Sequence, residues 1–279
     1  MNKDKRIIFN NLIFSLQNVG GISSYWTKLI QKISKKKKIK FYESKHNNIL
    51  RKKINLRTSR ESNISTKILR YLPFLKKLPS KSIFHSSYLR TSFQKDIINI
   101  TTIHDFNYEH FEKGISRFVH SWQKNLSIKN ADGIICVSNN TKKDLFKFIP
   151  GLNKNKVATI YNGVENDFFQ IKSLKNKLKD KQLEKLSKKK VILFVGDRRK
   201  SYKNFFLAVD TINLLKDFTL IAVGGEKINL KEKKYINEKI KGRFYHFSKI
   251  SVNKLNKIYN LSFCLLYPSL YEGFGLPII

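Results

Sequence analysis

Twice in this chain an apolar run of strand length closes on glycine and then opens into apolar residues at helical spacing. No other feature constrains the fold as tightly. Near the start, residues 6–16 read as a strand and residues 18–21 (Asn-Val-Gly-Gly) as a tight turn, after which Ile22, Trp26, Leu29, Ile30 and Ile33 share one helical face. In the second half, residues 191–196 (VILFVG) read as a fully buried strand ending in Gly196, and Phe206, Val209, Ile212 and Leu215 mark the helix that follows. Strands separated by helices pair in parallel, because the crossover returns the chain to the same edge of the sheet. The expected class is therefore α/β, with two parallel-sheet domains facing across a cleft.

Composition allows this. A length of 279 residues accommodates two domains, and 41% hydrophobic with 13% aromatic residues supplies cores for both. The net charge of +36 would suit nucleic acid or an anionic membrane surface. Lysine is, however, spread along the whole chain with Asn and Ile, which reads as compositional bias; peripheral contact with acidic lipid fits either origin, and no specific nucleic-acid partner is expected. Cys136 and Cys264 each sit in an apolar run and are expected to be buried free thiols, as suits a reducing cytosol. The basic, then apolar N-terminus is interrupted by Asn10 and Asn11 before it reaches signal-peptide length, and no run approaches the roughly 18 apolar residues of a membrane span. A cytoplasmic protein, peripheral at most to the inner face of the plasma membrane, is the expectation.

Between the two units, the lysine run at 35–38 marks the solvated end of the first helix, and residues 43–80 are weakly patterned, with a helix over 64–72. Residues 82–85 form a short strand, and residues 96–103 form a stronger one that delivers His104 and Asp105 at its carboxyl end, where open parallel sheets bind ligands. Ile115, Phe118, Val119, Trp122 and Leu126 repeat at helical spacing and read as core. Ser138 is placed to cap the next helix, and residues 157–160 form a strand running into Tyr161-Asn162-Gly163-Val164. Residues 172–190 read as a charged boundary segment, with Leu174, Leu178, Leu183 and Leu186 on one side of a short exposed helix. The resulting division is 1–168, a basic linker at 169–190, and 191–279. Further strands are expected at 220–223 and 243–247, and a further helix at 252–259.

The chemistry concentrates after strand ends. Asp197, Arg198, Arg199, Lys200 and Lys203 follow Gly196, and such cations neutralise a diphosphate, Arg through its fork and Lys as a point charge. The run at 263–267 stops at Pro268 and feeds a loop holding Glu272, Gly273 and Gly275, after which Leu276 and Pro277 open a helical turn. A helix start beside glycine N–H groups attracts phosphate, and a nearby carboxylate binds sugar hydroxyls. A sugar-phosphate ligand follows.

Seven segments in order, GGISSYW, FHSSYLRTS, TTIHDF, ICVSNNTKKDL, YNGV, VGDRRKSYKN and PSLYEGFGLP, resemble the retaining GT-B glycosyltransferases of family 4 (glycosyl transferases group 1), of the bacterial surface-polysaccharide type. The resemblance implies two Rossmann-like domains, an acceptor-side one first and a nucleotide-sugar-binding one second. It also implies transfer of a hexose, with retention, from a nucleotide diphosphate sugar to a saccharide or lipid-linked saccharide acceptor in O-antigen, capsule or lipopolysaccharide synthesis. Cofactors and bound metal are not implied. His104, Asp105 and Glu272 would be the catalytic set: His104 positions the donor sugar, Asp105 orders its loop and Glu272 holds sugar hydroxyls. The donor would be bound by Gly20, Gly21, Lys203, Gly273, Phe274, Gly275 and Leu276, with either Arg198 or Arg199, of which Arg199 fits the commoner spacing. In the family a second Glu follows the first after seven residues, and here the chain stops at Ile279, one position short of it. By that measure the second domain is incomplete, and a catalytically impaired remnant is the alternative reading; a basic membrane or nucleic-acid binder is a more distant one.

Overall fold

The computed structural model describes residues 6–34, 38–164, 166–174 and 178–279. The expectations for residues 1–5, 35–37 and 175–177 lie outside them. The chain divides into two compact units, Met1–Asn162 and Gly163–Ile279.

The first unit runs β1 (Ile7–Asn10), α1 (Ile13–Leu16), α2 (Gly21–Ile33), β2 (Ile39–Glu43), β3 (Ser59–Arg60), α3 (Thr66–Leu69), β4 (Ile83–Ser86), β5 (Ile98–Ile103), α4 (Asn107–Phe111), α5 (Gly114–Lys129), β6 (Gly133–Cys136), α6 (Asn139–Phe148) and β7 (Val157–Thr159). Its sheet has the order β3-β2-β1-β4-β5-β6-β7, and every pairing is parallel. Side chains alternate across each strand, so neighbours in sequence feed two different cores. Phe9 joins Ile13, Phe14, Trp26, Ile30 and Phe41, whereas Ile8 joins Tyr42, Phe74, Leu78, Phe84 and Ile97. Ser138 caps α6 as its sequence predicts, accepting from Thr141 N at 3.0 Å.

The second unit contains α7 (Lys181–Ser187), β8 (Lys190–Val195), α8 (Phe205–Leu214), β9 (Phe218–Val223), α9 (Leu230–Ile240), β10 (Phe244–Phe247), α10 (Val252–Leu261) and β11 (Cys264–Leu265). Its parallel sheet has the order β10-β9-β8-β11. Both units are thus parallel α/β layers, as the repeated strand–glycine–helix pattern predicts.

Four expectations are corrected. The first strand is only Ile7–Asn10, not 6–16, because Asn11 turns the chain away: its N–H donates to Tyr42 O and its side chain is buried among polar partners. The helix expected to be exposed in the charged segment, α7, is packed instead: Leu183 and Leu186 are buried against Val191 and Leu193 in the second unit. Cys264 is exposed, since β11 pairs only with β8 among the described strands; Cys136 is buried, and burial pushes its thiol up to about 11. On α5 most of the expected core stripe is turned outward: Ile115, Phe118 and Trp122 are exposed and Val119 and Leu126 half-buried, whereas Gln123, Lys124, Ser127 and Ile128 face the core.

Candidate functional site

Each unit gathers its candidate residues at the carboxyl ends of its own strands. In the first unit, β5 delivers His104 and Asp105, and the start of α2 supplies Gly20 and Gly21. Asp105 Oδ1 accepts from Asn107 N at 3.1 Å, a local bond that starts α4. The buried Lys124 ammonium, reaching across from α5, donates to Asp105 O at 2.9 Å and to Glu109 Oε2 at 2.7 Å. The turn carrying His104 is therefore fixed from two sides.

Around the His104 ring the contacts are aromatic, and the Asp105 carboxylate is its charged neighbour. The ring meets Tyr25 edge-on at 5.0 Å between centroids. Tyr25 hydrogen-bonds Thr102, and Thr102 Oγ1 lies 2.9 Å from His85 Nε2. Burial lowers His104 to about 4, with the Asp105 charge pulling weakly the other way; burial, then the neighbouring His104, lowers His85 to about 3. Both imidazoles are neutral at physiological pH. The glycine turn is already furnished: Gln17 Oε1 accepts from Ser23 N at 3.4 Å, and Ser23 Oγ donates to Gly20 O at 3.0 Å. Below the turn, Trp26 Nε1 donates to Asn11 Oδ1 at 2.8 Å, and Asn11 Nδ2 donates to Glu43 Oε2 at 3.1 Å.

In the second unit the site is ionic. The loop after β8 passes through a short 3-10 turn, Ser201–Lys203, to Asn204 in the left-handed region (φ 56°), and α8 begins there. Lys203 turns back over Gly196, with its Cδ 3.4 Å from where a β-carbon at that glycine would lie. Its ammonium donates to Glu272 Oε1, from the loop after β11, and lies 3.5 Å from the Tyr267 hydroxyl. Burial, then the bond to Glu272 and its charge, raises the Tyr267 phenol, so it stays protonated as a donor. Leu270 N donates to Tyr202 O at 2.8 Å, joining the same two loops through backbone. Gly275 takes φ 92°, a left-handed conformation that suits glycine, and leads into a 3-10 turn over Leu276–Ile278 with Pro277 inside it. Glu272, Gly273, Phe274, Gly275 and Leu276 thus lie on one loop beside Lys203.

The two arginines have different surroundings. Arg198 is 3% exposed, pairs with Glu232 at 3.3 Å, and donates to Gly224 O at 2.7 Å and Glu226 O at 2.8 Å. Its fork is occupied in tying β9 to the loop. Arg199 is exposed and grips Asp197 with Nε and Nη2, each at 3.2 Å; burial raises the Asp197 carboxyl, but the bonds from Arg199 outweigh it and leave it below its usual range. Of the pair left open by the sequence, Arg199 is the one able to turn toward a ligand. Sequence reasoning missed Tyr25, Thr102, His85 and Tyr267. Tyr267 alone carried a usable signal, as the last residue of an apolar run stopped by proline.

Residues 78–168 match the family described as Glycosyltransferase Family 4, and residues 175–279 match the family described as Glycosyl transferases group 1. Over 181 residues the chain is 24% identical to the O-antigen chain mannosyltransferase RfbU of Salmonella typhimurium, covering 63% of this chain and 47% of that protein. The chain thus spans about half the length of the curated relative it matches. Among solved structures, Anabaena HepE in complex with UDP and glucose superposes with a TM-score of 0.67 at 14% identity, covering 99% of this chain and 77% of that one. Sucrose-phosphate synthase from Thermosynechococcus elongatus superposes with a TM-score of 0.64 at 16% identity, covering 98% and 78%. No helix among the described residues is long and apolar enough to cross a membrane. The chain thus carries a region similar to Glycosyltransferase Family 4 followed by one similar to Glycosyl transferases group 1, on the GT-B fold of its structural neighbours.

Proposed function

We propose that this protein moves a hexosyl group from a nucleoside diphosphate sugar to a saccharide or lipid-linked saccharide acceptor in the assembly of a bacterial surface polysaccharide. The observation that carries this reading is the meeting of Lys203 and Glu272 at the carboxyl ends of β8 and β11. A cation and a carboxylate side by side, next to glycine-rich backbone and the start of α8, suit a ligand with an anionic half and a hydroxyl-rich half. HepE, solved with UDP and glucose, and RfbU, a mannosyltransferase of O-antigen chains, support the donor class and the polysaccharide context respectively.

In this reading Lys203 leaves Glu272 for the diphosphate, Arg199 leaves Asp197 to join it, and Glu272 accepts from sugar hydroxyls, with Tyr267 holding its carboxylate. The loop backbone at Gly273, Phe274, Gly275 and Leu276 borders the sugar and phosphate, and Gly20 and Gly21 keep the first unit's strand ends open to ligand. As the bond from the anomeric carbon to the diphosphate breaks, the electron pair passes to phosphate oxygen, where Lys203, Arg199 and loop N–H groups stabilise the charge. The acceptor hydroxyl attacks the same face and gives its proton to the departing phosphate, which retains the anomeric configuration. His104, neutral, positions the sugar ring, and Asp105 keeps His104 in place through its turn.

The test is transfer from a panel of UDP- and GDP-hexoses to lipid-linked and soluble saccharides, with the product's anomeric proton followed by NMR. Retained configuration with one donor is the expected result. Inversion would overturn the front-face reading, and the absence of both donor binding and transfer across the panel would overturn the transferase reading.

A further inference from the structure

The outward stripe on α5 has no role in the fold. Ile115 is 82% exposed, Phe118 71% and Trp122 51%, at spacings of three and four residues, so they form one continuous ridge. The buried face of the same helix is mostly polar, with Ile128 beside Gln123, Lys124 and Ser127: Gln123 donates to Arg70 O, and Lys124 to Asp105 O. The bond from Gln123 brings the turn around Arg70 alongside α5, and that turn also exposes apolar groups, Ile68 and Tyr71. An amphipathic helix normally buries its apolar face, and here the arrangement is reversed. Large exposed apolar groups clustered on two neighbouring segments mark a contact surface.

Charge identifies what the surface meets. Lys113, Arg117 and Lys129 flank the ridge and are exposed, as is Lys67 beside Ile68. Neither α5 nor the whole of residues 62–95 contains an Asp or Glu. Aromatic and aliphatic side chains rimmed by cations, with Glu112 the one carboxylate next to them in sequence, match the interface of an acidic bilayer, where rings sit at headgroup depth and cations meet lipid phosphates. We propose that the outer face of α5, with Ile68 and Tyr71, docks this protein on an anionic membrane. Because the inner face of α5 holds the Asp105 carbonyl through Lys124, docking would fix His104 and Asp105 at a set height above the lipid. That geometry suits a lipid-linked acceptor, and only this purpose rests on the transferase reading.

The chain has two tryptophans, and Trp26 is buried, so Trp122 reports the contact by itself. Tryptophan emission is followed on adding vesicles of phosphatidylcholine alone or with phosphatidylglycerol, with and without brominated acyl chains, alongside co-sedimentation. With acidic vesicles the expected result is a blue shift and bromine quenching, and the double variant Ile115→Ser, Phe118→Ser, which keeps every charge, should partition at least about tenfold more weakly. Circular dichroism checks that the variant folds, and quenching in the unmodified protein is independent of it. Sedimentation without quenching, or unchanged partition of the double variant, would overturn the proposal by showing contact through charge alone. A concentration-dependent dimer abolished by the same substitutions would overturn it in favour of a second copy. Loss of sugar transfer with vesicle binding intact would count against the transferase reading only.

Discussion

The two sets of strand ends solve different problems with different materials. In the first unit the charges are placed away from His104 as buried supports: the Arg90–Glu61 pair is completely enclosed, and Lys124–Glu109 nearly so. The His104 ring meets aromatic groups, with the Asp105 carboxylate beside it in the chain. In the second unit the charges lie at the candidate site, where Lys203 meets Glu272 and Arg199 meets Asp197 within reach of solvent. Buried pairs hold a scaffold, because breaking one strands a charge in low dielectric; partly exposed pairs can be exchanged for ligand at small cost.

Breaking one pair of each kind gives the sharpest contrast. Arg90→Ala leaves Glu61 buried with only Asn10 Nδ2 and Leu75 N to donate to it, and should destabilise the protein by about 3–5 kcal/mol in chemical denaturation. Lys203→Ala should cost under about 1 kcal/mol of stability, but about ten- to a hundredfold in affinity for a nucleoside diphosphate by calorimetry. If both variants lost stability equally, the distinction between support and site would fail.

Acid should act on the first unit more than the second. His85 and His104 have folded values near 3 and 4, below the ordinary 6.5, so the unfolded chain binds protons that the native one refuses. Their contribution to stability is complete above pH 6.5 and is lost as pH falls toward 4, with an upper limit of roughly 1.4 kcal/mol per pH unit for each. Thermal melts between pH 7 and 4.5 should show the midpoint falling, and His85→Gln should flatten that fall. The smallest expected effect is at a plain helix cap: Ser138→Ala should cost about 1 kcal/mol in denaturation and leave ligand affinity unchanged.

Much of this was legible in the sequence, and the failures have physical causes. His104 and Asp105 could be placed because a β-rich run ended just before them, and the glycine loop of Glu272 because proline stopped its strand. The Lys203–Glu272 pair could not, since its members lie 69 residues apart and meet only because β11 inserts beside β8. Periodicity showed that Ile115, Phe118 and Trp122 share a face but not which way the face points. The inner face is set by polar bonds from Gln123 and Lys124, to which hydrophobic spacing is blind. Strand β2 was unread because Lys40 and Glu43 break its apolar run, yet Glu43 is buried to pair with Arg51 at 2.7 Å. Helix α9 was unread because lysines and glutamates crowd it, although Ile236 and Ile240 hold it to the core.

In the proposed exchange a diphosphate takes Lys203 from Glu272 while the sugar takes Glu272. Calorimetric titration of the unmodified protein and of Glu272→Gln, each with a nucleoside diphosphate and with the corresponding diphosphate hexose, tests it most directly. Glu272→Gln should bind the bare diphosphate as tightly as before or more tightly, because Lys203 is released, and lose the added affinity that the hexose confers. Equal weakening of both ligands, or an undiminished preference for the hexose, would contradict it.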